Sequence, residues 1–499
     1  RDHPDHNQDV ATALQNYFDA LRSEASPSAY AHAGQCGDKI LIACEGDWAR
    51  CAAVTRYGWE QRHGTHFAGL YDPALDAATP HQGLLHSTRQ IAQSGVDARC
   101  FLEPATHQHA EHYGSALAHL DKILAGLWAD GQKCRTLFLT QASEPHLAGV
   151  ISVPLGFVGK TLVDRTRSIH EGREVVHPKD QNETSKKELF FPALMPTHAE
   201  LGRLILWWSI NYPGIPIFLA KKDVAEAFKW LWLLAECTGL FSTEFKAGQA
   251  GLEADLIIIW LVLNFGWVGG PGCFARFGTL LRVILTNFRP EDSSWHSKTP
   301  FRSLMWCDDL VVVEPLLGLR PWMSLGLAEG MITKMLGIEA LNLVKDLAEG
   351  HLEITKIAWG LFYATAGLTR AIPSPQLAKI AHLLHSNVLD YGSLDIPHLL
   401  VQVVRGSQEH WGSADPTIST MVGCTNALLG PPSTSGIVQA RGSYRTQART
   451  FMEFWETIEM QRLMIECKES WEIRFTHSLA RCLTINEILA LPSYAGKVK

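Results

Sequence analysis

Apolar positions along the chain fall into stretches with distinct periods. Val10, Leu14, Tyr17, Phe18 and Leu21 recur at helical spacing and predict an amphipathic helix near the start. Residues 116–129 read as a second helix. Ser374-Pro375 predicts a helix start, with a capping hydroxyl and Pro at the first position, and Leu377, Ile380, Leu383 and Leu384 then line one face. Over 450–475, Phe451, Phe454, Trp455 and Ile458 repeat at helical spacing as a core-facing stripe. The longest apolar run, LIIIWLVLNFGWVGG at 256–270, ends in the Gly/Pro cluster GGPG. At about fifteen residues it is shorter than the ~20 of a bilayer span and reads as a buried helix or strand entering a turn. The polar, weakly periodic stretch SIHEGREVVHPKDQNETSKK at 168–187 predicts an exposed loop, and GPPSTSG at 430–436 a boundary before a C-terminal segment.

With 499 residues, of which 46% are hydrophobic and 19% charged, the chain is expected to form more than one globular domain. Its net charge of −7 excludes a generally basic nucleic-acid coat, though not a local basic channel. Eleven sparse cysteines predict free thiols in a reducing compartment. Cys36, Cys44 and Cys51 miss zinc-finger spacing, and HQHAEH at 107–112 matches no metal motif, so His107 and His112 read as scattered surface histidines. The chain opens at Arg1 without Met or a charged-then-apolar leader, and is expected to be a piece of something longer.

GFVGKT at 156–161 is not a phosphate-binding P-loop. Pro154 stands where GxxxxGK[ST] needs its first Gly, and TLVDRTR follows instead of a helix. The informative set lies later. IPIFLAKKDVAEAFKWLWL at 215–233 is an apolar strand reaching Asp223; FGWVGGPG at 265–272 is a Gly-rich turn. SLMWCDDLVVVEP at 303–315 places Asp308 and Asp309 between apolar segments, the pattern of a tight hairpin with carboxylates at its turn. Adjacent acids there repel unless solvated or neutralised by a cation. With Asp223 as a third carboxylate, the oxygens suit Mg²⁺, and two ions ~3.5–4 Å apart would activate a 3′-hydroxyl and stabilise a leaving pyrophosphate.

This ordered set resembles the reverse transcriptases of retrotransposons, most closely those of protist retroelements, over about 150–480. Asp223 is followed five residues later by the aromatic Phe228; GWVGGPG resembles the family's Gly-rich motif, with Gly270 where Ser is common; Trp306-Cys307-Asp308-Asp309 matches the Tyr-x-Asp-Asp motif, with Trp for Tyr. GLRPWMS at 318–324 and FMEFWETIEMQRL at 451–463 also recur there. The resemblance implies an α+β right-hand polymerase fold: an N-terminal region of unassigned role at 1–145, fingers at 146–220, a palm with an antiparallel sheet at 221–365, a helical thumb at 366–430 and a connection-like segment at 431–499. It implies an RNA-directed DNA polymerase that extends a primer on an RNA or DNA template with deoxynucleoside triphosphates, using two Mg²⁺ ions, with Mn²⁺ as a substitute.

The resemblance also implies residue roles. Asp223 and Asp308 would hold the metals, supported by Asp309 and the Val224 carbonyl. Lys160, Arg165 and Arg167, in GKTLVDRTRSIH at 159–170, would meet the triphosphate, where DRTRS departs from the commoner D-x-R. Lys345, in LGIEALNLVKD at 336–346, would sit near the leaving phosphates, and Phe228 would crowd a ribose 2′-hydroxyl. Trp359 and Gly360, in WGLFYAT at 359–365, would grip the primer. Ribonuclease H and integrase or recombinase regions of the same polyprotein would be partners, with no membrane, and the work would be done in cytoplasm or nucleus. Two other readings stand beside this one: an RNA-directed RNA polymerase, and a catalytically silent nucleic-acid-binding remnant or structural part of a polyprotein.

Overall fold

A computed structural model describes residues 8–100, 110–164, 167–176, 179–289, 299–430, 436–440 and 445–470. The chain is a mixed α+β protein with small sheets. It divides into two units, the first gathering residues 1–195, 223–289 and 327–343, the second 196–222, 290–326 and 344–499. Among the described residues no helix is long and apolar enough to cross a membrane.

In the first unit, helix Gln8–Ala20 buries Val10, Leu14, Tyr17 and Phe18, the face its periodicity predicts. Helix Pro27–Ala43 begins where the Ser26 side chain accepts from the Ala29 N–H. It crosses strand Thr136–Thr140 so closely that a Cβ on Gly37 would lie 1.9 Å from the Phe138 carbonyl oxygen. Next to that contact, the buried Asp38 accepts from the Thr140 N–H (2.9 Å), the Thr140 hydroxyl (2.5 Å) and the Ser143 hydroxyl (2.6 Å), so its desolvation is matched by hydrogen bonds.

Strand Leu256–Trp260 is the centre of an antiparallel sheet, with Thr136–Thr140 on one side and Ser242–Phe245 on the other. All three strands are buried throughout, which is why 256–260 is continuously apolar instead of alternating. The long apolar run is therefore a strand followed by a turn, and helix Gly270–Asn287 begins at its last residue.

Two expectations are corrected in this unit. The helix expected over 116–129 is two, Gly114–Leu117 and Leu120–Gln132, separated where His119 leaves helical torsions. The loop expected over 168–187 is largely regular structure. Strands Leu155–Asp164 and Arg167–Val176 pair antiparallel from Leu155 with Val176 to Asp164 with Arg167, and helix Lys179–Thr184 follows. A two-stranded ribbon is ordered by its backbone ladder, so a polar, aperiodic sequence conceals it. GFVGKT runs within the first of these strands and opens no helix.

In the second unit, a sheet has the order Ile217–Asp223, Asp309–Pro315, Ser303–Trp306. The Leu316 N–H donates to the Pro216 carbonyl at its edge (2.8 Å). The division between units falls inside the first strand, between Lys222 and Asp223. A second sheet orders Thr369–Ala371, Leu361–Ala364 and Thr355–Ala358. Helices His198–Asn211, Ser374–Leu384, His398–Trp411, Pro416–Leu429 and Arg445–Ser470 complete the unit. Its core includes Trp208, Val311, Val313, Tyr363, Phe454 and Trp455.

The predicted stripe on the last helix is confirmed at Phe454, Trp455 and Ile458, which are buried, with Phe451 partly so. On Ser374–Leu384, Ile380 and Leu384 are buried and Leu377 and Leu383 partly so, but Ser374 does not cap: the capping position is Pro373, with no side-chain bond. GLRPWMS opens helix Arg320–Leu336, where the Arg320 Nε donates to buried Glu314 (2.5 Å) and the Ser324 hydroxyl donates to the same carboxylate (3.2 Å).

Candidate functional site

Strand Ile217–Asp223 ends at a buried aspartate. In the first unit, the Asn342 Nδ2 donates to the Asp223 Oδ2 (2.8 Å) and the Asn342 N–H donates to the Asp223 carbonyl (3.0 Å). Val224 pairs antiparallel with Leu341, and the Ala225 N–H donates to the Ala340 carbonyl (2.8 Å). The LGIEALN segment thus backs the turn. Glu226 then adopts φ +50°, in the left-handed region, and residues 227–230 form a single 3₁₀ turn. Phe228 is buried, its ring centroid 4.6 Å from Phe265 and 6.0 Å from Phe274. A Cβ on Gly270 would lie 3.9 Å from the Phe228 ring, so the fold brings these two predicted residues together.

In the second unit the acid pair sits at a tight hairpin, as its pattern predicts. Trp306 pairs with Asp309, and Cys307-Asp308 form the two-residue turn with Cys307 at φ +53°. Asp308 and Asp309 are half-buried, Trp306 exposed. WGLFYAT forms another hairpin: Trp359-Gly360 join Thr355–Ala358 to Leu361–Ala364 with both φ values positive, +49° and +83°. The two hairpins are tied. The Trp359 Nε1 donates to the Asp309 carbonyl (3.3 Å), and the Trp306 and Trp359 rings lie 5.6 Å apart.

Behind them His198 lies 6.0 Å from each Trp ring, with its Nδ1 2.7 Å from the Tyr363 hydroxyl and its ring 5.4 Å from His410. A Cβ on Gly360 would meet the His410 Nε2 at 2.6 Å, so crowding and torsion both require glycine. Burial, with help from His410 and Arg370, pushes the His198 imidazole down to about 3. Burial also lowers His410. Sequence reasoning missed this histidine pair, since no spacing links residues so far apart in the chain.

Other expected residues lie elsewhere. Lys345 is exposed on helix Leu343–Glu349, whose Asp346 pairs with buried Lys222 and whose Glu349 accepts from Lys221 (2.5 Å). Lys160 and Arg167 occupy ribbon positions opposite Glu171 and Asp164. Their side chains, and Arg165 altogether, fall outside the described residues, as do His107 and the 431–435 loop. Cys36, Cys44 and Cys51 are buried free thiols. The His112 Nδ1 accepts from the Leu155 N–H (3.2 Å). Among the described residues no three His, Cys, Asp or Glu side chains gather as a ready metal cluster.

No family model matches the sequence, and no curated protein matches it. Among solved structures the chain is similar to a foamy viral protease-reverse transcriptase in complex with double-stranded DNA, with a TM-score of 0.42 and 13% identity over 78% of this chain. It spans 59% of that protein's length.

Proposed function

We propose that this chain is a template-directed nucleotidyltransferase of the reverse-transcriptase kind, adding deoxynucleotides to a primer. The observation that carries the reading is the acid hairpin itself. Asp308 and Asp309 stand at a strained two-residue turn whose backbone is bonded to the Trp359-Gly360 turn. A merely solvated turn would not need that second hairpin. In this reading residues 146–220 are fingers, 221–365 palm, 366–430 thumb and 431–499 a connection, with 1–145 added at the front.

The donor set fits hard divalent ions. Mg²⁺ is usually held by one or two carboxylates plus substrate phosphates instead of an all-protein cage. The residues that would hold metal are Asp308 with Asp309 in support in one unit and Asp223 with the Val224 carbonyl in the other, and two bound ions would supply charge neutralisation and lower the pKa of the attacking hydroxyl. The chain's own contribution is positioning. The Trp359-Gly360 turn orients the primer end, Lys160, Arg165, Arg167 and Lys345 balance phosphate charge, and Phe228 beside Gly270 excludes a 2′-hydroxyl. The apolar surroundings of Phe228 favour deoxynucleotides over the RNA-polymerase reading, since its ring offers a ribose hydroxyl no hydrogen bond. The test is primer extension by the purified chain on RNA and DNA templates, with and without Mg²⁺. Wild-type extension that needs Mg²⁺ and disappears in Asp308→Asn supports the reading. No extension on either template overturns it.

A further inference from the structure

The region 1–145 has no role in the reading above, yet it supplies charged and aromatic partners to the far side of the Asp223–Phe228 turn, at Glu226, Lys229 and Trp230. Arg135, buried at the start of strand Thr136–Thr140, donates from Nη1 to the Glu226 Oε2 (2.5 Å) and lies 3.4 Å from the Asp130 Oδ1. Asp130, also buried, accepts from the Lys229 Nζ (2.6 Å). Lys133 stands 3.5 Å from Glu226, and Lys229 3.7 Å. The Arg135 guanidinium lies 5.2 Å from the centre of the Trp230 ring, whose Nε1 closes the turn by donating to the Ala225 carbonyl (2.6 Å). The His66 Nε2 donates to the Trp230 carbonyl (2.8 Å).

Glu226 and Lys229, the charged residues just beyond Asp223, therefore each have opposite partners, and three of the residues holding the turn, Arg135, Asp130 and His66, are buried or nearly so. The backbone they hold is unusual. A non-glycine residue keeps a positive φ such as that of Glu226 only where its surroundings over-determine it.

We infer that Arg135, with Asp130 and His66, is a positioning residue that sets the angle at which the turn presents Asp223 and Phe228, making 1–145 part of the catalytic body. The inference rests on the reading of Asp223 and Phe228 given above. The experiment uses the full chain as wild type, Arg135→Gln, Arg135→Lys and Glu226→Asn. Asparagine accepts a positive φ, so Glu226→Asn removes the charge without forcing the backbone and carries the test if Arg135→Gln fails to fold. Two measurements are made on each. One is hydrogen exchange at the amides of Ala225, Lys229 and Leu231, with helix Ser374–Leu384 as the internal reference. The other is single-nucleotide incorporation of deoxy- and ribonucleotides.

Exchange is expected to rise about tenfold or more at the three amides, with the reference helix unchanged. kcat should fall on the order of 10²-fold with little change in KM, and the ribose-to-deoxyribose ratio should shift. Arg135→Lys should restore part of each. Folded variants with wild-type exchange and kcat would overturn the inference, and so would exchange raised equally throughout the chain. If local exchange rises but even the wild type incorporates nothing, the polymerase reading falls and the clamp stands.

Discussion

Asp223 leaves its strand into a turn held by charges, whereas Asp308 stands at a turn held by rings. Around the first, Arg135, Asp130, Lys229 and Glu226 form a network that reaches the surface at Glu226, whose side chain is 43% exposed. Around the second, Trp306, Trp359, Tyr363, His198 and His410 gather in tilted, stacked and edge-to-face contacts, with one hydrogen bond to the Asp309 carbonyl. Both turns contain a positive-φ residue, Glu226 three positions after Asp223 in one and Cys307 immediately before Asp308 in the other. The difference teaches which perturbation each turn feels. Charges that reach solvent respond to salt, while a buried aromatic shell responds to lost volume and to protonation of its histidines.

The largest expected effect falls on activity. Asp308→Asn should abolish primer extension because it removes a charged ligand, yet it relieves repulsion with Asp309. Melting without Mg²⁺ should therefore stay level or rise. Extension near the wild-type rate would mean that the hairpin presents its acids to nothing.

Trp359→Ala comes next, on stability. Removing a buried ring that packs on Trp306 and bonds the Asp309 carbonyl should cost ~3–5 kcal/mol in urea unfolding. A loss within about 0.5 kcal/mol, as at an ordinary surface site, would show that the ring shell does not hold the acid turn.

Acid should expose the same shell. His198 has a folded pKa near 3, far below the ordinary 6.5, so the fold binds it neutral. A depressed pKa contributes stability that is full above about pH 6.5 and lost as pH falls toward about 3, by up to ~1.4 kcal/mol per pH unit. His66, held near 4 chiefly by burial, adds the same sign of effect in the first unit. His198→Phe should flatten the acid limb of the stability profile between pH 6.5 and 4. An unchanged limb would mean that His198 is charged in the fold.

Much of this was legible in the residues. Period alone located the helix at Gln8–Ala20 and the buried faces of Ser374–Leu384 and Arg445–Ser470. The apolar–acid–acid–apolar pattern predicted the hairpin, because a turn of two residues leaves its pattern in contiguous sequence. The ribbon of 155–176 stayed hidden, since a backbone ladder has no hydrophobic period to read. The clamps stayed hidden for another reason. Arg135 meets Glu226 across 91 positions and His198 meets Tyr363 across 165, and no local spacing encodes pairs that only tertiary folding joins.

The smallest effect sharpens the contrast most directly. Lys133 and Glu226 are both about half exposed and 3.5 Å apart, so their attraction acts through water-like surroundings. Such pairs contribute ~0–1 kcal/mol, and salt shortens the screening length from ~10 Å at 0.1 M to ~3 Å at 1 M. Lys133→Ala should therefore lower the urea midpoint slightly at low salt and by still less in ~1 M NaCl. Trp359→Ala should cost the same at both, because dispersion and cavity terms carry no net charge to screen. Urea is the denaturant of choice, since guanidinium would itself screen the network. A Trp359→Ala penalty that shrinks with salt would place charge where only rings were expected. A Lys133→Ala penalty that persists undiminished would mean that Lys133 supports the turn through its packed methylene stem and not through its charge.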